Sequence, residues 1–137
     1  MATVESPTLH PGRLSINVEE IKARRGAPPW GERIVINDNF IITVICQAPG
    51  HSNDWHYHEL DEAWYIYEGE LSWTMEGHDE PIHVKAGDWV YAPPNVFHYI
   101  QVHGTAPAIR IATSHVGEYH RHDRENKPPT PPGARAE

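Results

Sequence analysis

The segment GHSNDWHYHELDEAWYIYEG, Gly50 to Gly69, carries two imidazoles one residue apart, His56 and His58, and a carboxylate, Glu62, four residues further on. Imidazole nitrogens and carboxylate oxygens are ligands for divalent transition metals. In an extended chain, residues i and i+2 face the same way, so His56 and His58 point together into one side of a sheet. Two imidazoles without partners on a buried face are costly, and a metal ion that takes both nitrogen lone pairs removes that cost. The turn ELD then reverses the chain, so that Glu62 opens the next strand beside the pair. A fourth ligand has to come from elsewhere in the chain. The segment GDWVYAPPNVFH offers His98 after a rigid PPN corner that fixes where the following strand begins. The H-x-H spacing alone is a weak signal in a chain with 11 histidines. It recurs as His120 and His122 in the C-terminal segment, where no rigid scaffold is evident and the pair reads as solvated.

The elements that must position these groups read as short strands. From Arg33 onward, β-type runs alternate with turns: ERIVI, FIITVICQA, DWHYH, EAWYIY, ELSWTM, PIHV, DWVYA, VFHYIQV and AIRIATSHV, broken by Gly, Pro and Asn. This spacing predicts an all-β antiparallel sandwich or barrel of eight or nine strands. Upstream, SINVEEIKARRG predicts one short helix. Asn17 would cap it, Glu20 stands at the capping-box position, Glu20 and Arg24 would pair at i,i+4, and Gly26 would end it. Residues 1–30 thus form an N-terminal arm with a short helix and 31–117 the barrel. Residues 118–137, rich in proline and without an aliphatic cluster, form a flexible tail.

Composition bounds the rest. A chain of 137 residues suits one core, and its net charge of −8 disfavours nucleic acid or an anionic membrane surface as partner. No apolar run approaches the roughly 18 residues of a membrane span, and MATVESPTLH lacks the features of an export signal. A cytoplasmic location is expected. The single cysteine, Cys46, lies in FIITVIC and reads as a buried small hydrophobe.

On these residues the sequence resembles the cupin superfamily. The first cupin motif, G-x5-H-x-H-x3,4-E-x6-G, is met in full by Gly50, His56, His58, Glu62 and Gly69. The second, G-x5-P-x-G-x2-H-x3-N, is met by Gly87, Pro93 and His98, with Asn95 in place of its second Gly and Val102 in place of its final Asn. Asn tolerates the left-handed turn conformation, so the first departure is mild. The second removes a residue that is not a ligand in the family pattern. Seventeen residues, Glu70 to Ala86, separate the motifs, as in small single-domain members. The resemblance implies a double-stranded β-helix, the jelly-roll cupin barrel, with His56, His58, Glu62 and His98 as ligands of one metal ion.

Such a set suits Fe(II), with Mn(II), Ni(II), Co(II) and Zn(II) as alternatives. One carboxylate against a 2+ ion leaves the site at about +1, which favours an anionic or chelating small-molecule ligand. Trp64 and Ile66 share the face of Glu62, Phe40, Ile42 and Val44 share another, and Trp73, Trp89, Tyr91, Phe97 and Tyr99 lie on strands near the ligands. An aromatic lining would suit a small aromatic, diketone or enolisable substrate. Tyr65 and Tyr67 are expected on the opposite face, where they could contribute to a homodimer interface of the kind common in the family. Tyr91 and His51 are the candidates for polar groups beside the ligands, and His83, His103 and His115 read as surface histidines. The leading expectation is a mononuclear Fe(II) oxygenase. The alternatives are an isomerase, lyase or polyketide-cyclase-like enzyme using Zn, Ni or Mn, and a non-catalytic binder. No nucleophile elbow of the G-x-S-x-G kind is present.

Overall fold

The structure, a computed structural model, describes residues 13–136. The expected arm through Pro11 lies outside the described residues. One helix and eight strands follow in order: α1 Val18–Arg25, β1 Trp30–Ile36, β2 Phe40–Gln47, β3 Glu62–Glu68, β4 Glu70–Met75, β5 Ile82–Lys85, β6 Trp89–Ala92, β7 His98–His103 and β8 Ala108–His115. The strands form a five-stranded sheet, β1-β2-β8-β3-β6, facing a three-stranded sheet, β5-β4-β7, with every pairing antiparallel. This is the all-β antiparallel arrangement that the strand pattern implied, in the jelly-roll form that the family resemblance implied. DWHYH departs from the expectation. It forms no regular strand, only single bridges from Asp54 to Arg135, His56 to His98 and Tyr57 to Arg121.

Alternation along the strands fills the space between the sheets. Trp64 and Ile66 of β3 meet Leu71, Trp73 and Met75 of β4 and Ile100 and Val102 of β7, all nearly inaccessible. Each such side chain contributes about 1.5–3 kcal/mol on leaving water. The β3–β4 turn needs its glycine. Gly69 has φ +87°, and a Cβ there would come within 2.7 Å of Ala108.

The outer face of the large sheet is covered as well. Ile21 of α1, Ile34 of β1, Val44 and Cys46 of β2, and Ile109 of β8 form a second core, with Ile42 and Tyr67 against it. The face shared by Ile42 and Val44 therefore packs under the helix and does not line the barrel. Tyr67 donates to Glu19 of α1 at 2.6 Å and keeps part of its surface exposed. Trp89 and Tyr91 also point outward, 66% and 55% exposed, because β6 presents Val90 and Ala92 to the core instead. Among the described residues, no helix is long and apolar enough to cross a membrane.

The helix has the expected Asn17 cap, whose side chain accepts from Glu19 N at 2.8 Å, and ends at Gly26, whose N–H donates to Lys22 O. Its charges pair differently from the i,i+4 expectation. Arg24 bonds Glu32 at 2.5 Å and Arg25 bonds it at 2.7 Å, while Glu20 pairs with Arg13. The Glu32 side chain is fully buried, and burial alone would raise its pKa, but the two guanidiniums outweigh burial and hold it below the usual carboxylate value of 4.5.

A carboxylate with a depressed folded pKa stabilises fully above its unfolded pKa, and that contribution is lost as pH falls through the folded value. Glu32→Gln is expected to lower stability by about 2–3 kcal/mol at neutral pH, at the lower end for a broken buried pair because both arginines keep some solvent contact. Urea denaturation at a series of pH values should show the gap from wild type closing below the ordinary carboxylate pKa.

Candidate metal centre

His56 and His98 are locked to each other through the backbone. His98 N donates to His56 O at 2.8 Å and His56 N to His98 O at 3.3 Å, a hydrogen-bonded antiparallel pair that sends both side chains to one side. His98 can take this place because Asn95 turns the chain in the left-handed conformation, φ 61°, as the Asn-for-Gly replacement implied. Asn95 N also donates to His58 O at 2.7 Å, which ties the second motif to the first. All three candidate histidines are over nine-tenths buried.

Each imidazole then has one nitrogen held by a backbone carbonyl. His56 Nδ1 lies 3.0 Å from Asp54 O, His58 Nδ1 3.0 Å from Tyr119 O, and His98 Nδ1 3.2 Å from Val96 O. With Nδ1 protonated, each ring offers its Nε2 lone pair, the arrangement that orients metal-ligating histidines. Ligand nitrogens of the three rings fall within 4.8 Å of one another. Glu62 Oε1 is 3.0 Å from His58 Nε2. His98 Nε2 is buried and has no hydrogen-bond partner. A buried imidazole nitrogen without a partner, aimed at two others, is the feature a divalent ion would satisfy, so the donor set fits one.

Electrostatics agree with neutral imidazoles at two of the three positions. Burial, reinforced by His56 and His58, pulls His98 well below the usual histidine range. Burial also lowers His56, against the opposing influence of Asp54. Burial bears on His58 too, but Glu62 outweighs it and holds that ring above the usual value. A proton between His58 and Glu62 here does what a cation shared by both would do, and metal binding would release it.

Several groups around the ligands carry no motif. Asp54 is a buried carboxylate contacting three imidazoles, His56 Nδ1 at 3.2 Å, His120 Nδ1 at 3.0 Å and His122 Nε2 at 2.7 Å. Burial opposes its ionisation, yet His120 and His56 hold it far below the usual carboxylate range. The His120 ring stacks on His56 at 3.6 Å and 6°. His120 and His122 are therefore tied to Asp54, although the His120 side chain stays 55% exposed. The C-terminal segment is not the free tail its composition suggests. It bridges to the barrel at Tyr57–Arg121 and Asp54–Arg135, its Asp123 accepts from Tyr57 OH at 2.9 Å, and its Arg124 bonds Glu76 and Asn95 O. From the same segment, Glu118 lies with His58 and Glu62 in a group that could hold a metal, and burial pushes its carboxyl up against the pull of His58.

Two candidates from the sequence fall elsewhere. Tyr91 sits on the exterior of β6 opposite Ala63 and donates to Asp61 at 3.0 Å, because residues next to the ligand-bearing face alternate outward. His51 uses Nδ1 to accept from Ala48 N at 3.0 Å, capping the turn before the first motif. His103 accepts or donates to Ser72 at 2.7 Å, at the far end of β7 from His98, beside the exposed His83. His115 pairs with Asp61 at the surface. A cavity of about 70 Å³ adjoins the ligands, bounded by Ile45, Asn53, His56, Glu62, Trp64 and Arg110 among others.

A family profile described as a cupin domain matches residues 43–114. Among curated proteins, a 3-hydroxyanthranilate 3,4-dioxygenase from Paraburkholderia phytofirmans is 33% identical over 73 residues, covering 52% of this chain and 42% of that protein. One of the same name from Xanthomonas oryzae pv. oryzae is 32% identical over 98 residues, covering 70% and 54%. The chain spans about half the length of these curated relatives. Among solved structures, a cupin family protein with a double-stranded β-helix fold from Methanocaldococcus jannaschii superposes with a TM-score of 0.60 at 27% identity, covering 66% of this chain and 84% of that one. The chain belongs to the cupin domain family.

His98→Ala should abolish stoichiometric binding of a divalent ion, and Asp54→Ala should weaken it by about 10–100-fold while leaving one site. Competition with a chromophoric chelator measures both. Binding by Asp54→Ala as tight as by wild type would show that this carboxylate does not support the ligands.

Proposed function

We propose that this cupin is a metal-dependent oxygenase, with Fe(II) as its ion, that acts on a small aromatic substrate chelating the metal through vicinal donors, of the 3-hydroxyanthranilate kind. The observation that carries the reading is the convergence of three backbone-pinned imidazoles, one with an unpartnered buried nitrogen, beside Glu62. The names of the curated relatives support the reaction class.

A redox-active divalent ion held here would supply Lewis acidity toward the substrate's vicinal donors and electron transfer toward dioxygen. The chain's own residues set the conditions for that chemistry. With an ion in place His56, His58 and His98 would be neutral nitrogen donors and Glu62 an anionic one, so the set would leave a net charge of about +1 for an anionic substrate donor. Asp54 O, Tyr119 O and Val96 O fix the ring orientations, so little reorganisation accompanies binding. Trp64, 2% exposed, lies edge-on to His98 at 5.3 Å between ring centroids and separates the ligands from the core. With Ile45 and Ile100 it forms the apolar part of the cavity wall, which restricts water beside the reacting groups. Glu118, half-buried next to His58 and Glu62 with both carboxyl oxygens inaccessible, is placed to hold a proton there.

Iron-loaded protein is expected to consume dioxygen in step with loss of 3-hydroxyanthranilate in an oxygen-electrode assay. The zinc-loaded form should consume none, and His56→Ala should lose at least about 100-fold in rate. Equal turnover without oxygen, or with zinc, would contradict the oxygenase reading and support enolate chemistry instead.

A further inference from the structure

Arg110 occupies the centre of the large sheet on its inner face, paired with Ile45 of β2 and Ile66 of β3. It is 5% exposed. Of its five N–H donors, the one hydrogen bond among the described residues runs from Nη1 to Gln47 Oε1 at 2.7 Å. Its Nε is buried without a partner. No carboxylate among the described residues lies within ion-pair distance of it. Burial pulls the guanidinium down to about 10, with Glu62 opposing from a distance. A cation this deep without a close counter-charge is unfavourable unless something anionic meets it.

The cavity beside it supplies the place. Its walls include Arg110, the metal ligands His56 and Glu62, and the apolar Ile45 and Trp64. At about 70 Å³ it holds several waters or the polar end of a small molecule. Anything seated there meets the ligand cluster and the guanidinium together. The sign of the charge agrees once the Asp54 carboxylate on the same wall, turned to His56, His120 and His122, is counted with the rest. A divalent ion with Glu62 leaves about +1, Arg110 adds +1 and Asp54 takes away 1, which leaves the cavity at about +1 and favourable to an anionic molecule.

Building on the chelating-aromatic reading above, we propose that Arg110 binds a carboxylate of the substrate, so that the substrate class is aromatic acids with their chelating donors directed at the metal ligands. The planar fork of arginine matches a carboxylate through two parallel hydrogen bonds, and Nε with one Nη is the free edge. Gln47 positions the guanidinium and is itself held by Asn53 through two amide bonds of 3.1 and 3.2 Å.

The test uses zinc-loaded full chain, in which no oxygen chemistry intervenes. Calorimetric titration compares 3-hydroxyanthranilate with 2-aminophenol, which lacks the carboxylate, and 2,3-dihydroxybenzoate with catechol. Wild type should favour each acid by about tenfold or more. Arg110→Met should reduce that preference to about twofold or less with zinc stoichiometry unchanged, and its ligand-free melting temperature should equal or exceed that of wild type, since an unpaired buried charge has been removed. Should Arg110→Met not fold, Arg110→Lys, which keeps the charge without the fork, should lose several-fold of the preference. A preference undiminished in either variant, or no preference or no binding of the acids in wild type, overturns the assignment. The oxygenase reading fails separately. Acid-selective binding without dioxygen consumption by the iron form contradicts only that reading, and equal turnover of acid and non-acid contradicts only the role of Arg110.

Discussion

The structure depends on one constraint, that three buried imidazoles must present lone pairs to a common point while every other polar atom on them is satisfied. Backbone carbonyls take the Nδ1 protons, and the reciprocal hydrogen bonds between His56 and His98 hold two rings in fixed relation. The geometry therefore resides in the main chain. The two motifs meet as a hydrogen-bonded pair at the edge of the small sheet, with a left-handed Asn95 and a glycine turn at Gly69 letting the chain arrive there. Rings fixed in this way pay little orientational entropy on binding an ion.

Around that constraint the barrel is closed from two sides. The helix seals the outer face of the large sheet and anchors itself through Glu32. The C-terminal segment wraps the other side, covering Trp55, Tyr57, Phe97 and Tyr99 and bringing Ala134 against them. The same segment supplies the carbonyl that orients His58 and the imidazole that stacks on His56. Covering an aromatic face and supporting the ligands are thus one packing event, which couples the stability of this segment to the quality of the metal site.

The sequence displayed the His56, His58 and Glu62 cluster plainly, because H-x-H before a turn and a carboxylate keeps the three groups local, although isolated bridges and not a regular strand hold the histidine segment. It displayed the strand order less directly but sufficiently, through turn residues at regular spacing. Three things were hidden. The C-terminal segment docks by isolated bridges and side-chain bonds such as Tyr57–Asp123, which leave no period in the sequence. Asp54 lies in a loop, and its three histidine partners come from 2 to 68 residues away. Arg110 lies in AIRIATSH, where a one-sided strand would turn the isoleucines inward. β8 is central and covered on both faces, so Ile109 packs beneath the helix while Arg110 faces the interior. Tyr91 was misplaced by the same ambiguity of face, its strand turning Val90 and Ala92 to the core.

X-ray absorption spectroscopy at the edge of the metal in protein purified without added ions tests the central claim most directly. The account predicts a first shell of nitrogen and oxygen only, with outer-shell scattering fitted by three imidazoles. A sample without stoichiometric metal that also takes up none, or a bound ion fitted by one imidazole or by sulfur, would contradict it.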